Sequence, residues 1–249
     1  MRIKAIVCDV LAREFYWCAA QATHSVDIAL FPQGLHDNSD TCRATLQPAI
    51  DAVRADQYGA VVMGYGLCNN ALAGIRAGEV KLVVPRAHDC ITLLLGSKER
   101  YAKLFGERPG TYWYSAGWLE IGKEGRQRFD TMPNSGLGPM YKTQWDELVA
   151  KYGEDNAKYL MEFMGKWEEH YSHGTLIEFE HAQRLGLPDR VRQICADKGW
   201  AYDAVPGDLG LIRAAFEGEW DDARFLVVEP GQQIRASFDD GVLAACPVT

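Results

Sequence analysis

Cys8, Cys68 and Cys90 hold equivalent places behind the apolar runs that precede them. Cys8 ends Ile3–Val7, Cys68 closes Ala60–Leu67, and Cys90 follows Leu82–Asp89. Thiols at matching positions suit thiolate chemistry or a soft metal, since sulfur prefers zinc, copper(I) and iron–sulfur centres to hard cations. Each is followed or preceded by a polar residue (Asp9, Asn69, Asp89) at a strand-to-helix turn. Exposed N–H groups and the positive end of a helix dipole favour a thiolate there, so the sequence predicts three thiols of low pKa. No Cys-x-x-Cys occurs, which removes zinc-ribbon and ferredoxin spacings. The expected ligands are Cys8, Cys68 and Cys90, the expected centre an iron–sulfur cluster, with zinc as second choice. A cluster on three cysteines leaves one iron open to substrate, which favours chemistry over electron transfer.

These thiols converge only if the runs before them are neighbouring parallel strands. Through the first hundred residues strand-like and helix-like segments alternate, the pattern of a parallel sheet with right-handed crossovers. In a flavodoxin-like order the outer two cysteine-bearing strands lie about 10 Å apart, within reach of loops and side chains. The sequence therefore predicts an α/β fold of two Rossmann-like or flavodoxin-like lobes with the site at the strand carboxyl ends. The first lobe spans residues 1–110. An aromatic and helical insert spans 111–173, from Tyr112–Trp118 through the Gly/Pro-rich stretch 133–139 to a helical pattern over 142–171. The second lobe spans 174–249, its final strand running from Arg224 to Glu229. One helix is expected from Cys90 to about Phe105.

Two histidines border the same rim. His36 follows the second strand and His88 precedes Cys90, each with an aspartate behind it, Asp37 and Asp89. His36, His88 and Asp89 are the candidate catalytic residues, because imidazole exchanges protons near neutral pH. Tyr112 to Trp118 is expected to wall the pocket. Gly64, Tyr65, Gly66 and Ser97 are the candidate cofactor-contacting positions. The Gly64–Gly66 turn is too short for a dinucleotide fingerprint and no P-loop is present, which disfavours nicotinamide and ATP chemistry. Cys18 and Cys195 lie in helix-like stretches and read as small buried hydrophobes.

The 249 residues are 47% hydrophobic with a net charge of −8. That charge argues against nucleic acid as a partner, since phosphate-backbone binding needs a basic surface. No apolar run approaches the roughly 20 residues that span a bilayer, and Met1–Lys4 leads straight into a strand, so a cytoplasmic protein without a membrane partner is expected. Seven cysteines at irregular spacings then read as thiols or ligands, not disulfides.

The segments 32–37, 64–68, 85–97 and 110–118 resemble the domain-of-unknown-function family numbered 1638. Members are similar to proteins of anaerobes and methylotrophs, sometimes near corrinoid-dependent methyl transfer, which implies a link to methyl-group or metal metabolism and a corrinoid or methyltransferase system as partner. The residues themselves point first to a metalloprotein acting on a small molecule. A second reading is metal-free cysteine catalysis: Leu67–Ala71 is similar to the Cys-Asn-Thr/Ser-Ala turn of the aspartate/glutamate racemases, which also use two α/β lobes. Those enzymes need a second cysteine on the opposing lobe, where the matching strand here ends at Glu229. A third reading is a non-catalytic accessory protein that binds a cofactor or partner, although the Asp-x-His-x-x-Gly signature of cobalamin-binding domains is absent.

Overall fold

A computed structural model of the chain describes residues 1–68, 70–122, 125–126, 153–154, 171–237 and 241–248. The side chains of His36 and Asp37, the Gly/Pro-rich stretch and nearly all of the helical pattern over 142–171 lie outside the described residues.

The first sheet contains β1 (Arg2–Cys8), β2 (Ser25–Phe31), β3 (Ala60–Gly64), β4 (Leu82–Pro85) and β10 (Phe225–Val228), in the order β10-β4-β3-β1-β2. β1 to β4 are parallel and follow the flavodoxin-like order. Every residue of β3 and β4 is buried, the expected result for parallel strands covered by helices on both faces. The helices of this lobe are α1 (Ala12–Ala19), α2 (Ser39–Asp51), α3 (Cys90–Leu95) and α4 (Lys98–Glu107). The Asn38 side chain accepts the Thr41 N–H and caps α2.

The second sheet is all parallel, in the order β5-β8-β9, from β5 (Thr111–Tyr114), β8 (His173–Glu178) and β9 (Ala201–Pro206). Between β5 and β8 come α5 (Ala116–Glu120) and a short hairpin of β6 (Ile121–Gly122) and β7 (Gly125–Arg126). α6 (Leu187–Lys198) packs against β8 and β9, while α7 (Gly210–Glu217) packs against α1 of the first lobe, where Phe15 and Phe216 meet edge to face at 5.5 Å. A closing hairpin of β11 (Gln232–Ala236) and β12 (Leu243–Pro247) is pinned by Arg86, whose guanidinium donates to the Gly241, Leu243 and Asp222 carbonyls.

Sheet membership cuts across the sequence-based segments. β5, from the insert, is an edge strand of the second sheet. β10, from the last segment, returns to the first sheet and runs antiparallel to β4, pairing Phe225 with Pro85 and Val228 with Leu82. Glu229 therefore follows the amino edge of that sheet, at the opposite end from the cysteines.

The carboxyl edges of the two sheets face each other. A Cβ on Gly117, in α5, would lie 1.8 Å from the Val10 carbonyl oxygen, so the turn after β5 sits directly on the turn after β1. The Asp208 N–H, just past β9, donates to the Leu94 carbonyl at 2.9 Å. Strand carboxyl ends from both sheets thus border one cleft, where open α/β folds place ligands.

Candidate functional site

Backbone hydrogen bonds bring the cysteine-bearing turns together. Beyond β3 the chain stays beside the segment that follows β4: the Leu67 N–H donates to the Ala87 carbonyl at 2.8 Å and the Cys68 N–H to the His88 carbonyl at 2.9 Å. Gly66 makes this approach possible, because a Cβ there would meet the Asp89 backbone nitrogen at 2.6 Å. Gly66→Ala is accordingly expected to push the Cys68 and Cys90 turns apart and destabilise the protein by about 1–3 kcal/mol, read as a lower urea midpoint at unchanged slope. Gly64 has a different task. Its missing side chain makes room for Val7 and Phe15, which a Cβ would meet at 2.8 and 2.9 Å, so the glycine is required there by packing.

Cys68 has a φ of +42°, in the left-handed region that non-glycine residues rarely enter. Strain of this kind at a nucleophile or ligand persists only where the surroundings impose it, and it is concentrated at functional sites. Asp89 adopts extended geometry and caps α3 by accepting the Thr92 N–H at 3.1 Å, which places Cys90 at the first helical position. Cys8 sits at the carboxyl end of β1 and is nearly buried.

The three thiols lie close enough to feel one another's charge: ionised Cys8 opposes ionisation of Cys68, and both oppose that of Cys90. Cys42, in the first turn of α2, belongs to the same neighbourhood and adds to the repulsion on Cys8 and Cys68. The expectation of low pKa is overturned. Burial pushes Cys8 and Cys68 up to about 12, Cys42 up to about 11 and Cys90 well above its ordinary value. Desolvation outweighs the backbone donors, and α3 is only six residues long.

At this thiol group stands Tyr65. It is 1% exposed, and its hydroxyl is sealed from solvent without a hydrogen-bond partner. After its own burial, Cys8, Cys42 and Cys68 are the groups that most oppose its ionisation. A buried phenol normally finds an acceptor, so this hydroxyl marks a missing one. Among the described residues, no group of three or more His, Cys, Asp or Glu side chains is spaced to hold a metal ion as it stands.

Cys90 also lines a cavity of about 430 Å³ that reaches across to the second sheet. Val10 from the first lobe and Ile177 from β8 both border it, and among the described residues no formally charged one lines it. Tyr112, Trp113, Tyr114 and Trp118 form one wall, at the segment expected to wall the pocket. Tyr101 lines the same space and hydrogen-bonds Asp89, and burial with the Asp89 charge raises its pKa.

The remaining sequence candidates are placed as follows. The His88 side chain is exposed, and its carbonyl is the group that contacts Cys68. Asp89 is half-buried and occupied by Thr92 and Tyr101. Ser97 is a helix cap: Gly96, at φ +82°, ends α3, and the Ser97 hydroxyl accepts the Arg100 N–H at 3.1 Å to start α4. The single helix expected from Cys90 to Phe105 is therefore two, with Asp208 packed where a Gly96 Cβ would stand. Cys18 and Cys195 are buried helix residues, as expected.

The segment from 30 to 216 contains the cysteine turns at 68 and 90 and the aromatic wall, and it matches the model of a family described as a protein of unknown function, DUF1638. The chain belongs to the DUF1638 family. No curated protein and no solved structure matches it. In this DUF1638 chain the matched segment carries Cys42, Tyr65, Cys68, Cys90 and Tyr101, while Cys8 precedes it. Cys42 and Tyr101 escaped the sequence reading. Cys42 had a legible signal, since it follows the turn after β2 at the same sheet edge. Tyr101 had none, because only the break at Gly96–Ser97 turns α4 back towards the cavity.

Proposed function

We propose that this protein is a cytoplasmic metalloprotein that holds an iron–sulfur cluster through Cys8, Cys68 and Cys90 and acts on a small molecule in the adjoining aromatic cavity. The observation that carries the reading is the unpartnered Tyr65 hydroxyl at a group of buried and half-buried thiols. Neutral thiols have little use for an O–H donor, whereas thiolate or sulfide sulfur is a strong acceptor for one. A bound cation also answers the other anomaly of the site. It supplies the positive charge that would let buried, mutually repelling thiols ionise.

Zinc remains the second choice. Its tetrahedron needs sulfurs roughly 4 Å apart, as Zn–S bonds of about 2.3 Å dictate. A cluster accepts thiolates set farther apart than zinc does. Such a cluster on three cysteines supplies an iron able to take a substrate oxygen or nitrogen. The chain's own residues would do the rest. Tyr112, Trp113 and Trp118 exclude water and stack on the substrate. Tyr101, tied to Asp89, offers a hydroxyl beside Cys90. The family resemblance would set the reaction near corrinoid-dependent methyl transfer, with that system as partner.

Metal-free thiolate catalysis is less well supported. A nucleophilic cysteine needs a depressed pKa, and these are raised. The strands of the opposing sheet are followed by Ser115, Phe179 and Gly207, so none presents the second cysteine a racemase requires. Isolation under anaerobic conditions, followed by iron, zinc and acid-labile sulfide analysis and a visible spectrum, tests the proposal. Iron with matching sulfide and a broad visible band is the expected result. Folded protein that neither carries nor takes up iron and sulfide on reconstitution overturns it, and stoichiometric zinc without sulfide selects the second choice.

A further inference from the structure

A second cavity, of about 420 Å³, opens on the other side of the Asp9–Leu11 turn and shares no lining residue with the aromatic one. We propose that it binds a small, neutral, hydroxyl-bearing molecule, with His181 as the acceptor of the ligand hydroxyl and Glu14 as the residue that orients and polarises the ring. Glu14, in the first turn of α1, is wholly buried, and neither carboxylate oxygen has a hydrogen-bond partner. His181 Nε2 lies 3.6 Å from Glu14 Oε1 and is also sealed and without a hydrogen bond. Three unsatisfied buried polar atoms in one place are expensive and call for a functional explanation.

The two residues come from opposite lobes. His181 lies in the turn after β8, and its ring is clamped between Trp17, at 5.3 Å and 18°, and Phe179, at 5.3 Å and 27°. The clamp fixes the ring plane, and the carboxylate beside Nε2 selects the tautomer with the proton there. That leaves Nδ1 as the ring nitrogen with an open lone pair, on a residue that lines the cavity. Arg13 in the same wall is engaged by both oxygens of Glu120, so among the described residues the cavity offers no free guanidinium to an anionic ligand. Tyr16 and Trp17, both about half exposed, stand at its border and can cover an aliphatic skeleton. An uncharged alcohol fits these groups: its O–H meets Nδ1 and its carbons meet the two rings.

The site is separate from the thiols, so the test runs on the protein as isolated, whatever its metal content. Diethyl pyrocarbonate reports the ring nitrogen: Nδ1 attacks a carbonyl carbon, ethyl carbonate leaves, and the Nε2 proton passes through Glu14 or water to that leaving group as it breaks down to carbon dioxide and ethanol. Mass spectrometry is expected to show His181 acylated at least as fast as exposed His88, despite its burial. Glu14→Gln is expected to slow His181 about tenfold and leave His88 unchanged. Saturating propane-1,2-diol is expected to protect His181 selectively. An inert His181, or equal effects of the diol on both histidines, overturns the proposal. Long-range ¹H–¹⁵N spectra of the unaltered protein give a check that does not depend on the variant folding: His181 protonated on Nδ1 refutes the assignment.

Discussion

Replacing Cys68 by alanine is expected to cut the iron and sulfide content of anaerobically isolated protein by about tenfold or more, because a cluster held by three thiolates does not survive the loss of one. Cys18→Ala and Cys195→Ala serve as controls and are expected to retain full content, since both residues are buried in helices away from the edge. Cys68 is the most informative choice of the three. Its backbone is held at φ +42°, a conformation that alanine tolerates no better, so the variant removes the sulfur without relieving the turn. Tyr65→Phe separates ligand from donor. It should keep the iron and lower the reduction potential, because a hydrogen bond to cluster sulfur stabilises the reduced form. Unchanged iron in Cys68→Ala would show that the metal sits elsewhere. An unchanged potential in Tyr65→Phe would show that the phenol does not face the cluster.

Metal-free protein is expected to resist alkylation at Cys8 and Cys68. With both pushed up to about 12 by burial, the thiolate fraction at pH 8 is about 1000-fold below that of an ordinary cysteine. Iodoacetamide labelling followed by peptide mapping reads this directly, and labelling at the rate of exposed thiols would contradict it. The same shifts set the pH dependence of stability. An unfolded thiol loses its proton near pH 8.5–9, so above that range the unfolded chain binds fewer protons than the folded one. Stability from these groups is complete below about pH 9 and falls between about 9 and 12, by about 1.4 kcal/mol per pH unit for each thiol. Loading with metal should abolish the decline, because the sulfurs are then already ionised. Urea midpoints at pH 8 and pH 10, with and without metal, give four values whose ordering tests the argument.

The repeated placement of cysteine after an apolar run was enough to read the parallel order of β1 to β4 and the edge where Cys8, Cys68 and Cys90 emerge. Both follow from local pattern plus the handedness of crossovers. What the pattern misjudged was the sign of the thiol pKa. A helix start is visible in Asp89-Cys90, but desolvation is set by residues far away in sequence, such as those of the second sheet that share the Cys90 cavity. β10 was read as a strand but not as a member of the first sheet, because strand direction and partner depend on the intervening path and not on Phe225–Val228 itself. Ser97 was visible as a candidate cofactor contact, yet with Gly96 before it its hydroxyl serves as helix punctuation. Glu14 and His181 were illegible for a different reason: 167 positions separate them, and each looks ordinary in its own segment.

The return of β10 has a bearing on how the chain is made. The edge of β4 stays open until residues 225–228 arrive, and Arg86 waits longer still for its carbonyl acceptors at 241 and 243. During synthesis, then, the amino-terminal half cannot finish folding while the ribosome is still adding the other half. A fragment ending before Phe225 would present a bare hydrophobic border, the usual starting point for aggregation. Nascent-chain proteolysis should find protection arising late and all at once.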